Sequence, residues 1–185
     1  MGQVKYEDKL IPKTFQVADS IERSEKMDVK EREISEKALK HIFIGSQLDG
    51  VKFGVGAGAI LIQFMHYTNQ QPEDLWINIE TRWTVFPPGV KDYPNSEGEL
   101  EELTEEEEYH LLFLLRRDKV VDVQMGELAP HLHIVFQSGQ TMFVNGHHEM
   151  YECWQAGDGA WYTGEEWLVV AGPGDSITTW SPEDF

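Results

Sequence analysis

Apolar residues recur along this chain at two spacings, and the change from one to the other falls at matching points in its two halves. In "DVKEREISEKALKHIFIG" Ile34, Ala38 and Ile42 stand four residues apart, joined by Leu39 and Phe43. That spacing puts them on one stripe of a helix. Asp28 occupies an N-cap place with Glu31 three residues on, and Gly45 supplies a stop. A second helix is predicted over "TEEEEYHLLFLLRRDK". Thr104 and Glu107 have the capping-box spacing there. Four glutamates crowd its first turn, and Arg116, Arg117 and Lys119 its last, which complements the helix dipole. The run "EELTEEEE" therefore reads as a charged helix start, not a metal-binding tract.

Each helix is followed by period-two patterning, the mark of half-buried strands. Residues 39–64 slide onto residues 111–136 at a constant offset of 72 without a gap. Leu39 falls on Leu111, Phe43 on Leu115, Leu48 on Val120 and Val51 on Val123. Gly54 falls on Gly126, and Ile60, Ile62 and Phe64 on Leu132, Ile134 and Phe136. The halves then differ in one loop, "MHYTNQQPED" against "QSGQ", before a third strand, "LWINIETRWTVF" or "TMFVNGHHEMYECW". The pattern predicts an α+β protein, β-rich, made of a duplicated unit: one helix followed by a short antiparallel β-meander. A polar lead-in occupies residues 1–27, partly helical over 17–26. The first helix-plus-meander lobe spans 28–86, a Pro-, Gly- and acid-rich linker 87–103, and the second lobe 104–185. The second lobe carries an additional hairpin, "EWLVVAGPGDSITTW". "GVGAGA" (54–59) joins two strands, so its glycines belong to a turn and not to a phosphate loop.

Composition narrows the function. A chain of 185 residues with 41% hydrophobic residues suits one domain, or two small lobes with a real core. No stretch approaches the roughly 18 to 20 apolar residues of a membrane span. The N-terminus has no apolar run like that of a secretory signal, so a cytoplasmic protein is expected. One cysteine, Cys153, excludes an internal disulfide and a cysteine-rich zinc motif. The formal charge of −18 repels nucleic acid and anionic membrane, and it speeds encounter with basic proteins.

Candidate chemistry concentrates in residues 131–154. His131 and His133 share one strand face, and His147 or His148 could join them from the next strand as a metal set. In the first half Ala59 and Leu61 hold the places of His131 and His133, so the scaffold folds without a metal. We expect a hairpin with imidazoles on a partly solvated face, no metal and no cofactor. Cys153 sits among acids that raise a thiol pKa, which makes it a poor nucleophile. Glu165 and Glu166, adjacent in an extended chain, point to opposite faces. No G-x-S-x-G, P-loop or G-x-G-x-x-G stands in its required strand–turn–helix context. Without a catalytic constellation, a non-enzymatic protein-binding module is expected.

The best binding segment is "QAGDGAWYTGEE" (155–166). Trp161 and Tyr162 would serve as aromatic anchors, and Asp158, Glu165 and Glu166 as charges complementary to a basic partner. Two alternatives stay open. One is a metal-dependent enzyme using His131, His133, His147 and His148. The other is a self-assembling structural protein, a homo-oligomer joined at an exposed strand edge.

The strands with the form "L-x-F-x-x-G-x-x-L-x-V", the step Tyr151-Glu152-x-Trp154, and the late hairpin Val170-Ala171-Gly172-Pro173-Gly174 carry a resemblance. The chain resembles a loose group of small bacterial proteins of unknown function over residues 105–182, and more faintly over 45–86. Asp175 departs from the group's glycine. The resemblance implies structural turns and core positions but no catalytic residues. Some of the group are thought to be immunity proteins of toxin systems, so it also implies inhibition of a basic bacterial toxin.

Overall fold

The computed structural model describes residues 27–54, 59–68 and 70–185. The lead-in of residues 1–26, with its expected helix over 17–26, lies outside the described residues, as does the centre of "GVGAGA", residues 55–58. Met27 is buried.

Two helices and ten strands make a strand-rich α+β fold among the described residues. Helix α1 (Val29–Phe43) is capped by the Asp28 carboxylate, which accepts from Lys30 N at 2.8 Å and Glu31 N at 3.0 Å. Helix α2 (Glu105–Leu115) starts with the capping box expected of Thr104 and Glu107. Such caps satisfy amide groups that the first helical turn leaves without partners.

The strands form two antiparallel sheets. The six-stranded sheet runs β1 (Gln47–Phe53), β2 (Ile60–Met65), β3 (Asp74–Ile79), β8 (Trp154–Asp158), β9 (Leu168–Ala171) and β10 (Ile177–Trp180). The four-stranded sheet runs β4 (Trp83–Phe86), β7 (Thr141–Val144), β6 (Leu132–Phe136) and β5 (Val120–Met125). The third strand expected in each half is therefore two strands, and each pair is divided between the sheets. After β3, the segment Glu80–Thr81–Arg82 carries the chain across, so β4 pairs with β7 of the later half. After β7, the chain crosses the other way and β8 pairs with β3. Apolar residues on both sides disguised the break, because both pieces bury side chains and only the intervening polar residues mark the crossing.

The two crossings match in detail. Trp83 pairs with Val144, and Trp154 with Ile79. At the crossings Asn145 N donates to Arg82 O at 3.0 Å, and Glu80 N to Cys153 O at 2.9 Å. In the elements before the crossings, where the offset of 72 applies, the geometry also corresponds. Register slips between Leu48 and Gly50 in β1, and between Val120 and Asp122 in β5. Backbone φ is positive at Gly45 (94°) and at its counterpart Arg117 (70°).

Both inner sheet faces and both helices feed one hydrophobic cluster. It includes Leu39 and Phe43 of α1, Leu112 and Leu115 of α2, Ile62 and Ile77 of one sheet, and Ile134 and Met142 of the other. The segment after β4 covers the far face of the four-stranded sheet: the Tyr93 ring stacks on Phe143 (centroids 6.3 Å apart) and tilts over His133 (4.6 Å). Among the described residues, the far face of the six-stranded sheet is less fully covered at Leu61, Leu168 and Val170, which stay half-buried.

Candidate functional site

On that face the alternation of β3 turns Trp76 outward, away from the inward Leu75, Ile77 and Ile79. Trp76 is nevertheless buried, because the β8–β9 loop folds over it. Its Nε1 donates to Asp158 O at 2.8 Å. The Tyr162 ring meets it edge-on at 6.2 Å. Gln63 Nε2 donates to Tyr162 Oη at 2.7 Å, and Lys52 Nζ lies 5.3 Å from the Tyr162 ring centroid.

The Asp158 carboxylate closes the other end of the loop. Its Oδ1 accepts from Glu166 N at 3.0 Å and Trp167 N at 2.9 Å. Gly157 is required beneath: a Cβ there would lie 2.4 Å from the Trp167 carbonyl oxygen. Tyr162 itself holds φ at 61°, a left-handed conformation uncommon outside glycine. The loop is thus pinned at both ends and bent sharply between them.

Its tip is Trp161, 81% exposed. Glu165 and Glu166 are exposed beside it. Asp158, expected among the partner-facing acids, is only 4% exposed and serves as the internal brace of the loop. Among the other rings of the segment, Trp154 and Trp167 belong to the core, while Tyr151 is exposed. Sequence reading missed Trp180, which is 54% exposed and pairs with the outward Leu168 on the same sheet face. The alternation in "ITTW" held that signal, since Ile177 points inward.

The histidines are held in separate surroundings, and among the described residues His133 Nε2 is buried without a hydrogen-bond partner. His131 is buried; its Nδ1 accepts from Gly146 N at 2.9 Å, and Nε2 donates to Asn95 O at 3.2 Å. Burial holds its pKa below the usual histidine value. His133, packed between Tyr93 and Phe143, is pushed down to about 4 by burial, with the neighbouring His131 adding to the effect. His147 Nδ1 faces Asp175 Oδ1 at 2.5 Å. His148 Nδ1 accepts from Met150 N and Tyr151 N, each at 3.1 Å. Among the described residues no three His, Cys, Asp or Glu side chains converge on a point where a cation could sit. The His131 and His133 face, expected to be partly solvated, is covered by Tyr93 and the segment around it. Cys153 is buried, and its thiol is pushed up to about 12, mainly by that burial, which suppresses thiolate chemistry.

Compared with protein-family models, curated proteins and solved structures, the chain matches none. No helix among the described residues is long and apolar enough to cross a membrane.

Proposed function

We propose that this chain is a non-enzymatic, acidic module that binds another protein of basic charge. The carrying observation is Trp161, 81% exposed at the tip of a loop braced by Asp158 and Tyr162. An exposed indole forgoes about 25 cal/mol for every Å² of apolar surface left in water. A partner that covers it recovers that energy, and a loop already fixed loses little further entropy on binding. Trp180 and the half-buried Leu168 and Val170 extend the apolar part of the same face, while Glu165 and Glu166 supply the charged part. The charge of −18 favours fast encounter with a basic partner. The resemblance to small bacterial proteins supports a specific form of this reading, a cytoplasmic immunity protein or inhibitor of a basic toxin.

We also infer that the two halves descend from one duplicated unit. The matched slips of register, crossings and turns support that reading. The β8–β9 loop and the β9–β10 hairpin follow the second crossing only, so the binding face belongs to what the later half added.

The test is capture of partners from the native host, followed by titration of the purified pair. We expect Trp161→Ala to weaken a basic partner at least about tenfold, as hot-spot residues do, with an unchanged melting temperature. Equal affinity in wild type and variant overturns the assignment.

A further inference from the structure

The segment that covers the four-stranded sheet is held there unlike the rest of the fold. Residues 87–96 run from the end of β4 to the ion pair between Arg82 Nε and Glu97 Oε1 (3.4 Å). Among the described residues no backbone hydrogen bond joins this segment to either sheet. Two side-chain bonds fasten it: Tyr93 Oη donates to Thr141 Oγ1 at 3.2 Å, and His131 Nε2 donates to Asn95 O at 3.2 Å. The Tyr93 ring supplies packing, against Phe86 (5.4 Å), Phe143 (6.3 Å) and His133 (4.6 Å). A surface segment with so few bonds belongs to the low-stability end of a fold, where opening is local.

Both histidines beneath it suit the closed arrangement only while neutral. His131 uses each ring nitrogen, since Nδ1 accepts from Gly146 N at 2.9 Å while Nε2 holds Asn95. A proton on Nδ1 sets two N–H groups against each other. Gly146 is packed so tightly that a Cβ on it would overlap the Pro130 carbonyl, so the ring gives way, and with it the bond to Asn95. His133 Nε2 is buried without a partner. A proton there finds no acceptor while Tyr93 is in place, and water reaches it once Tyr93 lifts.

The charged groups acting on the pair come from several elements. Glu36 of α1 acts on His133, and Asp175, Glu99 and His147 act on His131. The three carboxylates favour protonated rings, and burial outweighs them in the closed state. On the segment itself Lys91 and Asp92 are exposed, and Tyr93 is the titratable group facing the rings.

We propose that residues 87–96 form an acid-released strap, which lies on the sheet while His131 and His133 are neutral and lifts when the two imidazoles take up protons. Release bares Phe143 and a pair of cationic rings. This face is distinct from the Trp161 loop, so either proposal can fail alone.

Thiol labelling of the full chain tests it. Cys153, buried in the core, reports global unfolding, and Thr141→Cys places a second thiol beneath the strap, where Thr141 is 4% exposed. Both are labelled between pH 7.5 and 4.5 with a pyridyl disulfide, which reacts in acid, and each rate is divided by that of a free thiol at the same pH. The thiol at position 141 should react at least about tenfold faster than Cys153 throughout, because its opening is local. Its relative rate should rise at least about tenfold as pH falls from 6.5 to 4.5. His133→Phe should cut that rise at least about threefold, and Tyr93→Ala should speed labelling already at pH 7.5. Equal rates at the two thiols at every pH overturn the proposal, as does a rise unchanged by His133→Phe or a Tyr93→Ala variant that labels no faster.

Discussion

An antiparallel bridge joins Gln47 to Lys119, the residue 72 positions further on and its counterpart under the offset that relates the halves. Any antiparallel bridge has a local two-fold axis between its residues, and here that axis relates positions 72 residues apart. Around the bridge Gly45 N donates to Val120 O at 2.8 Å, and Val120 N to Ser46 O at 2.9 Å. Further out, β4 belongs to the sheet of β5, β6 and β7, and β8 to the sheet of β1, β2 and β3. Neither sheet is complete without a strand from the other side of the segment 87–103.

This exchange predicts one cooperative unfolding transition. Far-ultraviolet circular dichroism and tryptophan fluorescence should give coincident denaturant midpoints. Trp154 sits at a crossing, fully buried, with Nε1 donating to Pro130 O at 2.9 Å. Its replacement by alanine should cost about 3–5 kcal/mol and lower both probes together. Two separated transitions would show halves that fold independently despite their shared sheets.

Asp158 and Trp161 lie three residues apart and should behave oppositely. Asp158→Ala removes the acceptor of two loop amides, one of them belonging to the buried Trp167. Buried donors left without partners cost about 1–3 kcal/mol, which a denaturant midpoint resolves. Trp161→Ala removes a side chain that packs against solvent, and stability should stay within about 0.5 kcal/mol of wild type. Equal losses in the two variants would mean that the indole packs against the fold in solution.

What the sequence disclosed and what it hid divide along physical lines. The helices were legible because their caps are local: Asp28 and Thr104 bind amides within three residues. Strands β1, β2, β5 and β6 were legible because period-two patterns and the offset of 72 reinforce each other. The breaks after β3 and β7 were not, since alternation reports a buried face without naming the sheet that buries it. For the site, the aromatic and acidic residues of 155–166 pointed to the loop, but chemistry alone could not separate Asp158 from Glu165. That separation depends on a carboxylate reaching amides eight and nine residues away. The cover over His131 and His133 was hidden for a similar reason, because Tyr93 lies in a segment whose composition reads as linker.

The buried His133 makes stability depend on pH with a definite sign. Its pKa falls from the model-peptide value of 6.5 to about 4 in the fold, because the charged ring would lie between Tyr93 and Phe143 out of water. Above pH 6.5 the ring is neutral both folded and unfolded, and its contribution is fully present. As pH falls from 6.5 toward 4, the unfolded chain binds a proton that the folded chain refuses, so stability drops. At 1.36 kcal/mol per unit, the full loss approaches about 3 kcal/mol, and it levels off below pH 4. His131, lowered by burial in the same direction, adds to the decline below pH 6.5. Denaturant midpoints taken every half unit between pH 4 and 7.5 should show the decline in wild type and a shallower one in His133→Phe, whose ring keeps the aromatic packing without a titrating nitrogen. Parallel curves for the two proteins would place the acid sensitivity elsewhere in the chain.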